Sequence, residues 1–99
     1  GGTGATERLI SPRGESRVQV MRSVVEPGGH GGGQLYAVAA EVEVLHVLSG
    51  RVVVRFSDQD WELAPGDTVT FRGREPHSWR AAGDEGAELI WVLAPAAWA

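Results

Sequence analysis

The sequence contains no lysine, no cysteine and no asparagine, and all nine of its basic residues are arginine. Missing thiols exclude a disulfide framework, a zinc–thiolate centre and a cysteine nucleophile. Missing lysine excludes Schiff-base chemistry and a phosphate-binding loop of the Walker type. No apolar run approaches the ~18–20 residues of a membrane span, and no signal-peptide pattern opens the chain. Capped amphipathic helices of about ten or more residues are absent as well. Thirteen acids against nine scattered arginines give a net charge of −4, which argues against a nucleic-acid surface on this chain. The expectation is a soluble cytoplasmic domain with no membrane partner.

What is present is glycine, valine and a short rhythm of turns. At 99 residues the chain is one domain that buries ~60–70% of its unfolded surface. Residues 1–7 are small and polar and read as a disordered leader or tag remnant, leaving residues 8–99 as one β-barrel domain. The opening Gly1-Gly2-Thr3 in place of methionine leads us to expect a domain of a longer protein. Strand patterning starts at residues 17–25, alternating at Val18 and Val20, and Pro27-Gly28-Gly29 is read as its end. The valine-rich stretch 18–25 is also a candidate edge strand for pairing with a second subunit. Residues 34–39 and 42–48 are apolar. In 51–56, Val52, Val54 and Phe56 share one face against Arg51, Val53 and Arg55. Residues 57–60 form a hairpin connection, and Pro65-Gly66 suits a type II turn. Shorter strands follow at 68–71, 77–80 and 89–93. Trp98 is a packing anchor or a contact with another chain. Short strands with turns every six to twelve residues predict an all-β fold, a sandwich or barrel with little or no helix.

Two stretches carry more than fold class. Residues 43–50 place a glutamate, Glu43, ahead of a glycine, Gly50, with six residues between them. Residues 66–77 run from Gly66-Asp67 through a strand and a bend to Pro76-His77. With their spacing these stretches resemble the two signature motifs of the cupin family, over roughly residues 18–94. The resemblance implies a small antiparallel double-sheet barrel of jelly-roll type with an interior pocket and frequent dimerisation. The texture of "VLHVLSGRVVVRF" and "LAPGDTVTFRGREPHSW" is most similar to the C-terminal cupin domain of bacterial helix-turn-helix transcriptional regulators.

Metal-binding cupins carry two histidines and a glutamate in the first motif and a third histidine in the second. Mapped onto this chain, the resemblance assigns the glutamate to Glu43 and the last histidine to His77, and places the other two on Ala37 and Ala39. Arg72, Arg74 and Ala81 stand where that family has proline, glycine and asparagine. Two donors are too few for a tight transition-metal site, so no metal and no cofactor are expected. His46, three residues after Glu43, falls on the opposite face of a regular strand. His30 lies in the glycine loop and is read as solvated.

Glu43 and His77 then either satisfy each other inside the barrel or form the polar end of an organic-ligand pocket. Apolar lining is expected from Leu45, Val47, Val54, Phe56, Phe71 and Trp79, Trp79 sharing a face with His77. Tyr36 and Gln34 are candidates for hydrogen bonds near the mouth. Arg72 and Arg74 flank the bend, where an anion is a further option. The resulting ligand-binding set is Glu43, His77, Trp79, Leu45, Phe56, Phe71 and Tyr36, with no catalytic and no metal residue assigned. The resemblance implies a homodimeric domain that senses a small-molecule effector, with DNA contacted only through an upstream domain. The alternative is a cupin-type dioxygenase, isomerase or lyase using Glu43 and His77.

Overall fold

A computed structural model describes residues 3–97; Trp98, singled out above, lies outside the described residues. Eight strands follow one another: β1 (Thr3–Leu9), β2 (Gln19–His30), β3 (Val42–Ser49), β4 (Val52–Phe56), β5 (Asp60–Leu63), β6 (Thr68–Phe71), β7 (His77–Ala81) and β8 (Ala87–Ala94). Every pairing is antiparallel, and the order is β5-β4-β7-β2-β8-β3-β6, with β1 added on β2. The all-β barrel expectation therefore holds, and the described residues contain no helix long and apolar enough to cross a membrane.

Turn chemistry closes the hairpins where the sequence places it. Pro65-Gly66 forms the expected turn, with Gly66 at φ +90° and the Asp67 amide donating to the Ala64 carbonyl at 2.9 Å, the geometry of type II. The 57–60 hairpin closes through the Phe56 amide on the Gln59 carbonyl at 2.8 Å.

Alternation then fills the barrel. β8 turns Ala87, Leu89, Trp91 and Leu93 inward, and β3 does the same with Glu43, Leu45 and Val47. Val52, Val54 and Phe56 complete the interior from β4 as expected, each large apolar side chain contributing about 1.5–3 kcal/mol by leaving water. Of the tryptophans on strands, Trp79 and Trp91 are core, whereas Trp61 is 50% exposed.

The N-terminal third departs from expectation in four ways. First, residues 3–9 are a strand, not a disordered leader: β1 pairs with β2 from Thr3↔His30 to Leu9↔Met21, so the boundary at residue 7 falls inside an element. Second, β2 is no edge, because β1 flanks it on one side and β8 on the other. Third, its inward residues are Gln19, Met21, Ser23 and Val25 rather than Val18 and Val20. The Trp91 indole donates to Ser23 Oγ at 3.0 Å, and that need for a buried acceptor sets the parity against the valines. Fourth, Pro27-Gly28-Gly29 does not end β2. The strand bends there and continues to His30, where it leaves β8 and meets Arg80 of β7. Gly28 has φ +79°, and a β-carbon on Gly29 would sit 2.6 Å from the Gly4 carbonyl oxygen, so this bend in β2 needs glycine.

Residues 34–39 are not a strand either. They cross the barrel as a loop touching the sheet at one bridge, Tyr36 to His77.

Candidate functional site

β3 and β7 face each other across the barrel and bring Glu43 and His77 together, His77 Nε2 standing 3.3 Å from Glu43 Oε1. Both side chains have 0% solvent exposure. The separation fits an ion pair, but its angle leaves His77 Nε2 and both carboxylate oxygens without a formal hydrogen bond. Among the described residues Glu43 Oε2 has no hydrogen-bond partner. A buried carboxylate with an empty acceptor is costly.

The rest of the imidazole is closely held. Its Nδ1–H donates to the Glu75 carbonyl at 2.7 Å, which fixes a proton on Nδ1. The rings of Tyr36 and Phe71 each lie 4.6 Å from it, and Phe56 lies 6.4 Å away. Burial alone pushes the His77 pKa down. The close contact with Glu43, the Glu75 carbonyl and the two nearby glutamate charges outweigh it, so the net direction is upward. The arrangement sets a carboxylate against an aromatic-lined base. Burial, reinforced by the Glu43 charge, raises the Tyr36 phenol against the pull of the Trp79 side chain, so it stays a neutral hydroxyl.

The segment from Gly31 to Glu41 covers this interior. Tyr36 and His77 exchange backbone hydrogen bonds at 2.8 and 2.9 Å, the Gly31 amide reaches the Trp79 carbonyl at 2.8 Å, and Val38 and Ala40 tie to Gly73. Its register corrects the motif mapping. Tyr36, Val38 and Ala40 pack inward, whereas Ala37 and Ala39 are exposed, so histidines at 37 and 39 would point to solvent. The inward places fall to a phenol and an apolar side chain. Among the described residues no cluster of three or more His, Cys, Asp or Glu could hold a metal. Glu43 and His77 alone do not fit a transition-metal centre.

Of the expected ligand-binding residues, Leu45, Phe56, Phe71 and Trp79 are buried around the pair and Tyr36 caps it. Gln34 is exposed and stands away, as do Arg72 and Arg74 on the bend. His46 faces outward, its Nδ1 2.7 Å from Thr68 Oγ1. His30 is not in the interior; it ends β2 on the outer face. Two features escaped the sequence reading: the Tyr36–His77 bridge, and an outer patch of Arg55, Arg80 and His30. Alternation marks Arg55 and Arg80 as outward, but only the β4–β7 register shows that they are neighbours.

A family profile described as a cupin domain matches residues 21–93. No curated protein sequence matches the chain. Solved structures that resemble it include the cupin domain of an XRE family transcriptional regulator from Enterobacter cloacae, at 17% identity and a TM-score of 0.79, covering 93% of this chain and 97% of that one. An HTH_3 family transcriptional regulator from Vibrio cholerae matches at 20% identity and a TM-score of 0.74; 94% of this chain spans 52% of that one. A sugar phosphate isomerase of the cupin superfamily from Silicibacter pomeroyi matches at 22% identity and a TM-score of 0.79, covering 94% and 60%. At such identities the likeness is one of fold.

Proposed function

The chain belongs to the cupin family, and from that premise we propose that it is the small-molecule-sensing and dimerisation domain of a helix-turn-helix transcriptional regulator. The observation that carries this reading is Glu43 Oε2, a buried carboxylate oxygen without a partner inside an aromatic-lined barrel. An interior evolved only for packing has no use for such an atom, because replacing a buried pair with apolar side chains is often neutral or stabilising. With the metal set incomplete, the chemistry that satisfies it is a hydrogen-bond donor on an organic ligand, a hydroxyl or an ammonium. The regulator domain from Enterobacter cloacae, matched over nearly its whole length, supports the regulatory setting.

The mechanism is linkage. A ligand that binds one arrangement of the dimer better than another shifts the balance between them by its differential affinity, and attached DNA-binding domains follow. This chain does the sensing; DNA contact belongs to a separate domain. The apposition of Glu43 and His77 at 3.3 Å favours one alternative, a metal-free isomerase or lyase using them as an acid/base pair.

Native mass spectrometry of the freshly purified chain, followed by thermal shift with ethanolamine, erythritol and glycinamide, tests the reading. A retained small molecule, or a probe that raises the melting temperature of the wild type but not of the Glu43→Leu/His77→Phe variant, is the expected result. Saturation at 100 times Kd corresponds to about 2.7 kcal/mol. Chemical conversion of a bound probe assigns the enzyme instead. No bound species and identical melting of wild type and variant under every probe overturns both.

A further inference from the structure

On the outer face of β7, across the strand from the buried pair, a cleft of about 280 Å³ lies between the sheet and the glycine loop. Its walls include His30, Gly32, Gly33, Arg55, Ser78 and Arg80, with Trp79 and Ala81 beneath. Register explains the gathering: Arg80 lies opposite His30 of β2, and Ser78 lies opposite Arg55 of β4. Residues directly across from each other share a face, and diagonal neighbours lie within reach of long side chains. One patch therefore holds two guanidinium groups and an imidazole.

No acidic side chain lines this cleft. Among the described residues, the arginine–carboxylate pairs join Arg17 to Glu15, Arg22 to Glu88 and Arg51 to Glu62. Among the described residues Arg55 meets only the Gly33 carbonyl, at 3.5 Å, although Asp60 stands across from it on β5. Leaving like charges adjacent is unfavourable, and this chain does so despite thirteen carboxylates. The loop is fixed over the patch, Ser78 Oγ donating to the Gly32 carbonyl at 2.8 Å. The Gly32 amide donates to His30 Nδ1 at 3.0 Å, so the neutral ring carries its proton on Nε2 and keeps a donor to spare.

We propose that this cleft binds a small organic oxyanion, a phosphate monoester or a carboxylate, between Arg55 and Arg80 with His30 Nε2–H as a third donor. Guanidinium forks match either head group. The volume, at the lower end of ligand pockets, admits a head group with a small body. Its donors are independent of the interior reading, since β7 sends Arg80 to the face opposite His77, although Trp79 lies between the two.

Amide chemical-shift titration of the chain at low salt with phenyl phosphate, benzoate and neutral benzyl alcohol tests it. Saturable shifts at Gly32, Gly33 and Arg80 with an anion, and none with benzyl alcohol, are expected. The tighter of the two anions identifies the head group. Arg55→Gln and Arg80→Gln each weaken binding about tenfold, about 1.4 kcal/mol, while their unliganded spectra remain those of a folded chain. Equal shifts with benzyl alcohol, unchanged affinity in both variants, or shifts centred on Glu43 and Leu45 instead overturn the proposal.

Discussion

Strand β7 carries polar chemistry on both faces and handles it in opposite ways. Inward, His77 is fully buried, clamped by a backbone carbonyl and two aromatic rings, and matched to one carboxylate. Outward and three residues on, Arg80 is exposed, with no carboxylate paired to it among the described residues. The dielectric separates the two. Unit charges 4 Å apart interact by about 1 kcal/mol in water and about 4 kcal/mol at an effective constant of 20. Inside, each charge must be matched within the fold. Outside, a mismatch is cheap enough to keep, and what the fold leaves unmatched is available to a ligand.

The strongest way to break this contrast is Glu43→Ala, which strands His77 in an apolar barrel. A loss of about 3–5 kcal/mol is expected from urea denaturation. The double variant Glu43→Leu/His77→Phe sharpens the point, because it removes both members and is expected to be neutral or up to about 1–4 kcal/mol more stable. A double variant as unstable as the single one would show that packing, not charge matching, governs the interior.

Gly31→Ala acts where the two faces meet. A β-carbon there would overlap the Trp79 indole nitrogen and lie 2.7 Å from Cδ1, so the loop must lift or the ring must shift. Overpacking of this kind costs about 1–3 kcal/mol, read as a lower denaturation midpoint with faster exchange of the Gly31 amide.

The gentlest probe is pH, which titrates the inner face in place. The His77 pKa is raised above its ordinary 6.5 in the fold. Its stabilising contribution is therefore complete below about 6.5 and is lost as pH climbs through the raised folded value. The melting temperature is expected to fall across that window above 6.5, and His77→Gln to flatten the fall. A wild-type curve no steeper than the variant's would contradict the pairing.

Much of the inner face was legible because period-two alternation needs no knowledge of neighbours. Glu43, Leu45, Val54, Phe56, His77 and Trp79 all point where parity puts them. Reading failed where a partner decides. Valines at 18, 20, 24 and 25 support either parity for β2, and the Trp91 indole, a strand away, settles it through Ser23. Proline and two glycines look like a strand end locally, yet mark the bend where one strand passes from pairing with β8 to pairing with β7. The placement of the family's two histidines on Ala37 and Ala39 came from motif spacing, which does not show that in this loop Tyr36 and Val38 turn inward and Tyr36 bridges to the sheet. The arginine cleft was beyond reach because it exists only once β2, β4 and β7 are aligned.

The reciprocal bonds between Tyr36 and His77 have a kinetic meaning. The same backbone pair that orients the imidazole fastens the covering segment, so a guest entering beneath that segment would have to loosen the barrel's own base. A molecule that does enter meets only the small fraction of chains caught open. Its apparent affinity is the intrinsic one reduced by that fraction. If the barrel senses a ligand as proposed, its sensitivity is set by how often this two-bond latch comes undone, and residues that never touch the guest tune the concentration to which it responds.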